Sequence, residues 1–159
     1  MNQDFLAEVQ ELERRIDIEE AYLNFDDTFG VIRDFFKHVV LELSNLNELK
    51  INDEAKNRAI FLLDESCRYD ELSDDQRKHL RVVAWQDVER FSEKNSKLIR
   101  LLLCSLWDKQ GYLHSVATDM QDNFFTTILS FSYELDRKLG MKFRDFVEAH
   151  PLMQKYKAL

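Results

Sequence analysis

Arginine and histidine stand close together twice in this chain. His150 follows Arg144 by six positions in Arg-Asp-Phe-Val-Glu-Ala-His, and His38 follows Arg33 by five in Arg-Asp-Phe-Phe-Lys-His. Such a pair combines a proton carrier with a binder of negative charge. An imidazole moves a proton at an attacking hydroxyl near neutral pH, and a guanidinium stabilises the charge that develops on phosphate. The other histidine placements have different neighbours. His38 lies one turn after Asp34 and one turn before Glu42, His79 lies one turn after Asp75, and His114 follows Gly111 in a prospective turn. Groups four apart on a helix project together, but no Glu-x-x-His or His-Glu-x-x-His spacing accompanies them, so no metal is expected.

The Arg-to-His spacing resembles the R-x(4–6)-H motif of HEPN-type ribonucleases, which are all-α and frequently dimeric. The resemblance covers seven residues of 159. It implies metal-free RNA cleavage with Arg144 and His150, or Arg33 and His38, as the active-site pair.

A second constellation carries charge rather than catalytic groups. Asp64, Glu65, Asp70, Glu71, Asp74 and Asp75 place six carboxylates in twelve residues against one base, Arg68. Asp74 and Asp75 suit the positive end of a helix dipole, whereas Asp70 and Glu71 have no such use. Tyr69 stands inside the cluster and would anchor a partner if exposed, as would Trp85 and Trp107 elsewhere. Residues 1–75 hold 20 acids and 8 bases, and residues 76–159 hold 10 acids and 14 bases, within a net charge of −8. An acidic first half argues against direct nucleic-acid binding, where a basic footprint supplies most of the affinity.

The charge layout predicts a non-enzymatic module that engages a basic protein partner through Asp64, Glu65, Tyr69, Asp70, Glu71, Asp74 and Asp75. Its most concrete form is an inhibitor or immunity-type protein that neutralises a nucleic-acid-cleaving toxin, whose own surface must be cationic. The metal-independent ribonuclease is the alternative. A homodimer joining acidic half to basic half is a third arrangement, and a solvated acidic face the plain competing one.

The elements that must position these groups are helices. Three glycines and one proline in 159 residues are too few for the tight turns of a β-sandwich or for Gly-rich phosphate loops. No cofactor is therefore expected. The spacing predicts a single all-α domain over 1–159, a compact bundle or stacked hairpins of about six or seven helices. A first helix covers 3–23. A second carries the seam Phe25, Phe29, Ile32, Phe36, Val39, Leu43 and Leu46, wide enough for a central helix with several neighbours.

A third helix, capped by Asn52 or Asp53, buries Ala55, Ala59, Leu62, Leu63 and Cys67. Ser73 and Gln76 form a capping box that opens a helix running to about Phe91. The pattern onward to Lys109 reads as one helix or two, with two preferred and a break near Asn95. A helix from Thr118 to Leu139 stops at Gly140, and Lys142 to Ala149 forms a short helix before a final turn from Pro151. Cys67 and Cys104 are expected as buried, reduced thiols. The N-terminus has no apolar leader, and the longest apolar stretch falls well short of the ~20 residues that span a membrane. A soluble, cytoplasmic protein is expected.

Overall fold

A computed structural model describes residues 7, 25–42, 49–106 and 124–157. The described residues form seven α-helices and no strand, so the all-α expectation holds. They are α1 (Phe25–Phe35), α2 (Asp53–Cys67), α3 (Asp74–Arg90), α4 (Glu93–Leu103), α5 (Phe124–Leu135), α6 (Arg137–Ala149) and α7 (Pro151–Lys157). A π-helical turn, Phe36–Val40, extends α1, and a 3-10 turn, Tyr69–Glu71, links α2 to α3. Most of the expected 3–23 helix, the seam positions Leu43 and Leu46, and the region 107–123 with Trp107, Gly111 and His114 lie outside the described residues. No helix among the described residues is long and apolar enough to cross a membrane.

Local side-chain chemistry sets the starts of α2 and α3. Asn52 takes extended backbone and its Oδ1 accepts from the Ala55 amide at 2.8 Å. Ser73 Oγ accepts from the Gln76 amide at 3.2 Å while Gln76 Oε1 accepts from the Ser73 amide at 2.9 Å. Each cap satisfies an amide that the helix leaves orphaned, worth ~1 kcal/mol.

The break between α3 and α4 comes earlier than Asn95. Phe91 is extended at ψ 157°, and Glu93 sits in the left-handed region at φ 53°. Asn95 and Ser96 instead belong to the first turn of α4. Asn95 Oδ1 accepts from the Asn52 amide at 2.9 Å, and Ser96 Oγ donates to the Val88 carbonyl at 2.7 Å. Polar residues that read as a helix breaker tie the new helix to its two neighbours.

Among the described residues the helix with most neighbours is α4. It packs on α2, α3 and α5, and its Leu98, Ile99, Leu101 and Leu102 are fully buried. The Phe-rich seam of α1 is wide, as expected: Phe29, Val31, Ile32, Phe35, Phe36 and Val40 are all buried. Its aromatic side meets α6, where the Phe35 ring lies 4.8 Å from Phe143 and 5.7 Å from Phe146. Such pairs add roughly 0.5–1.5 kcal/mol each beyond the area they bury. The π turn, closed by the Leu41 amide on the Phe36 carbonyl at 2.9 Å, keeps Phe36 and Val40 inside while Lys37 and His38 face solvent.

Gly140 does not end a helix. α5 stops at Leu135, the chain turns through extended Asp136, and Gly140 lies inside α6. The Lys94 ammonium from α4 donates to the Glu134 and Leu135 carbonyls, satisfying the end of α5 that a C-terminal glycine motif was expected to close.

The cysteines also differ from expectation. Both are free, but Cys67 is exposed, because Ser66 takes the last buried position of α2 by donating to the Leu63 carbonyl at 2.7 Å. Desolvation pushes the Cys104 thiol up to about 12, with Arg100 opposing the shift. Cys104 is half-buried, and because the thiolate is the nucleophile, iodoacetamide at pH 8 is expected to label Cys67 rapidly and Cys104 much more slowly. Mass spectrometry of the native protein showing equal labelling rates would contradict this difference between the two thiols.

Candidate functional site

The acidic residues collect where α2 ends and α3 begins. Asp64, Asp70, Glu71, Asp74 and Asp75 are exposed, Asp74 almost wholly so at 99% of its side chain. Glu65 is half-buried, and its two oxygens accept from Arg68 Nη2 at 3.0 and 3.2 Å. Arg77 Nη2 donates to Asp74 Oδ1 at 3.0 Å. Exposed pairs of this kind are worth roughly 0–1 kcal/mol, so they temper the local field without abolishing it. Asp70, Glu71 and Asp75 keep the corner negative.

Tyr69 is not an exposed anchor. It is only 1% exposed, with its hydroxyl bonded to Arg81 and Arg77 stacked over its ring at 5.8 Å. The 3-10 turn folds the ring inward, and the next two residues, Asp70 and Glu71, consequently face solvent. Tyr69 thus holds the acidic turn in place from inside.

The sequence reading missed the groove beside this corner. A hollow of about 280 Å³ lies between α2 and α3, with Phe61, Leu72 and Val83 as its apolar floor. Arg58, Glu65, Arg68 and Gln76 also line it, so of the six clustered carboxylates Glu65 alone reaches the hollow, while Asp70, Glu71, Asp74 and Asp75 are exposed in the adjoining α2–α3 turn and the start of α3. Phe61 is 40% exposed and carries the Arg58 guanidinium over its ring at 4.8 Å. The available signal was that Phe61 falls off the 55-59-62-66 buried stripe of its own helix. His79, exposed one turn after Asp75, lines the same hollow.

A polar network spans the two helices. Arg58 Nε donates to Asp87 Oδ2 at 2.7 Å, Arg90 Nη2 donates to Asp87 Oδ1 at 3.0 Å, and Arg90 Nη1 donates to Glu54. Glu54 first, then Asp87, raises the Arg90 guanidinium above its ordinary value.

The helices that carry the two Arg-His segments pack together. α1 packs on α6, and a hollow of about 270 Å³ is lined by Asp34, His38, Phe146 and His150. His150 Nδ1 accepts from the Leu152 amide at 3.2 Å, which assigns the ring proton to Nε2, 2.8 Å from Asp34 Oδ2. Both ring nitrogens are thereby engaged, and the residue is only 9% exposed. Arg144 Nε donates to Glu148 at 3.3 Å, and the Arg33 guanidinium lies over the Phe29 ring at 5.8 Å. The histidines of the two segments are brought together, while each arginine is directed to a neighbour on its own helix.

Among the described residues, no three His, Cys, Asp or Glu side chains are grouped to hold a metal ion. The chain matches no known protein family, no curated protein and no solved structure. Its functional reading rests on the side chains just described.

Proposed function

We propose that this chain is a binding module that captures a basic protein at the groove between α2 and α3. The observation that carries the reading is an apolar floor at Phe61, Leu72 and Val83 together with the exposed carboxylates of Asp70, Glu71 and Asp75 in the chain that joins the two helices of the groove. Apolar area supplies affinity and complementary charge supplies orientation and association rate. The partner is a protein with a cationic patch beside an apolar one. A nucleic-acid-cleaving toxin has that character, since its surface must attract phosphate, and neutralising such a toxin is the concrete form of the proposal. The ribonuclease alternative has less support, because His150 commits both ring nitrogens to holding α6, α7 and α1 together.

Native affinity purification followed by identification of co-purifying proteins supplies the partner. Its binding kinetics then test the site. Asp70→Lys combined with Glu71→Lys is expected to slow association by about tenfold or more at low salt. The gap should narrow as salt rises, because exposed charges are screened. An unchanged association rate would remove the acidic corner from the interface.

A further inference from the structure

The outer face of α3 carries a pattern that the groove does not use. Lys78, Val82, Trp85 and Glu89 are spaced four, three and four, so they form one stripe along the helix. Leu80, Ala84 and Asp87 are the buried residues of α3. At 100° per residue the stripe lies roughly 160° round the helix from them. Val82 and Trp85 are each 47% exposed, and Lys78 and Glu89 are exposed on either side. Neither charge forms an ion pair among the described residues. A surface helix needs one apolar stripe to hold it to the core. α3 has a second.

Single exposed apolar side chains are ordinary. What distinguishes this stripe is its symmetry. Lys78 and Glu89 are centred on the same point as Val82 and Trp85, between residues 83 and 84. Reversing the helix about that point places Lys78 opposite Glu89 and Val82 opposite Trp85. The stripe is therefore complementary to itself in one orientation only. A parallel copy would set Lys78 against Lys78 and Glu89 against Glu89.

We infer that α3 is the contact between two copies of this chain, packed antiparallel about a two-fold axis passing between Val83 and Ala84. Self-complementarity of one patch is what a two-fold dimer requires. In the dimer, Trp85 of each copy covers Val82 of the other, and two Lys78–Glu89 pairs close the ends and fix the register. The groove residues Gln76, His79 and Val83 lie to one side of the stripe, so the dimer presents two open grooves. One helix pair covers less than the ~1,200 Å² of stable complexes. The association is therefore weak and concentration-dependent.

Sedimentation of the full chain from about 1 µM to about 1 mM, a range that reads dissociation constants typical of weak complexes, tests this. A reversible monomer–dimer equilibrium is expected. Trp85→Lys should leave a monomer with an unchanged circular dichroism spectrum. Lys78→Glu and Glu89→Lys should each weaken the dimer by about tenfold, because each sets like charges together twice. The decisive results are rescues. An equimolar mixture of Lys78→Glu with Glu89→Lys should form a heterodimer, and the double swap in one chain should restore the homodimer. A chain that stays monomeric throughout, a dimer that survives Trp85→Lys, or reversals that no swap rescues would each overturn the assignment.

Discussion

Replacing Gly140 by alanine is expected to destabilise the protein by about 3 kcal/mol, reversing the usual sign of that change in a helix. Alanine inside a helix is ordinarily better than glycine by ~1 kcal/mol. The backbone raises no objection, because none of the described glycines has positive φ. Space does. A Cβ at position 140 would lie 2.2, 2.4 and 2.7 Å from Cδ2, Cε2 and Cγ of Tyr133. The ring has nowhere cheap to go, since Tyr133 is 6% exposed and its hydroxyl donates to the Met141 sulfur at 2.9 Å. Either α5 and α6 separate or the ring leaves the core. Thermal unfolding should show Tm lowered by roughly 6–12 °C for a chain of this size. In a Tyr133→Ala background the same change should be neutral or stabilising by up to ~1 kcal/mol, so the two effects will not add. A Gly140→Ala protein that melts at or above the parent temperature would refute the close approach.

That glycine also marks where the sequence stops being legible. A glycine after a periodic run with Arg137 and Lys138 reads as a helix stop. A glycine that admits a ring from the preceding helix reads identically, and only the tertiary contact separates them. Caps were legible for the opposite reason. Ser73 with Gln76, and Asn52 with Ala55, complete their hydrogen bonds within four residues, so local spacing contains the whole cause. The all-α class and the buried α1 seam follow in the same way from periodicity.

The candidate site divides along the same line. Exposure of Asp70, Glu71 and Asp75 was readable from charge, because unpaired carboxylates stay in water. The burial of Tyr69 was not, since it depends on a 3-10 turn folding back towards Arg77 and Arg81. Nor was the groove, which exists because α2 and α3 both pack on α4 with their backbones apart, joined by the side chains of Glu54, Arg58, Asp87 and Arg90. The apolar pair on the outside of α3 was visible as spacing, but only its exposure separates it from core.

Asp87 is where that groove is held together, and Asp87→Ala is expected to cost about 2–3 kcal/mol, read as a lower urea midpoint with an unchanged m-value. The Asp87 side chain is 8% exposed and its two oxygens take Arg58 from α2 and Arg90 from α3 itself. Removing one partner of a fully buried pair costs roughly 3–5 kcal/mol. Here the smaller figure applies, because Arg58 keeps 27% and Arg90 48% of its side chain in water, so both recover hydration once freed. The comparison is with the pairs at the acidic corner, half-buried Glu65 with Arg68 and exposed Asp74 with Arg77. Glu65→Ala and Asp74→Ala should each change stability by no more than ~0.5 kcal/mol, although their distances to arginine are nearly the same. A double replacement, Arg58→Met with Asp87→Leu, should lose less than the sum of the single changes. Apolar side chains of similar volume leave no stranded charge between α2 and α3. If Asp87→Ala costs no more than Glu65→Ala, the network is decorative and packing on α4 alone fixes the width of the groove. A clear difference would mean that a buried carboxylate, rather than the exposed ones, sets the geometry in which the exposed ones act.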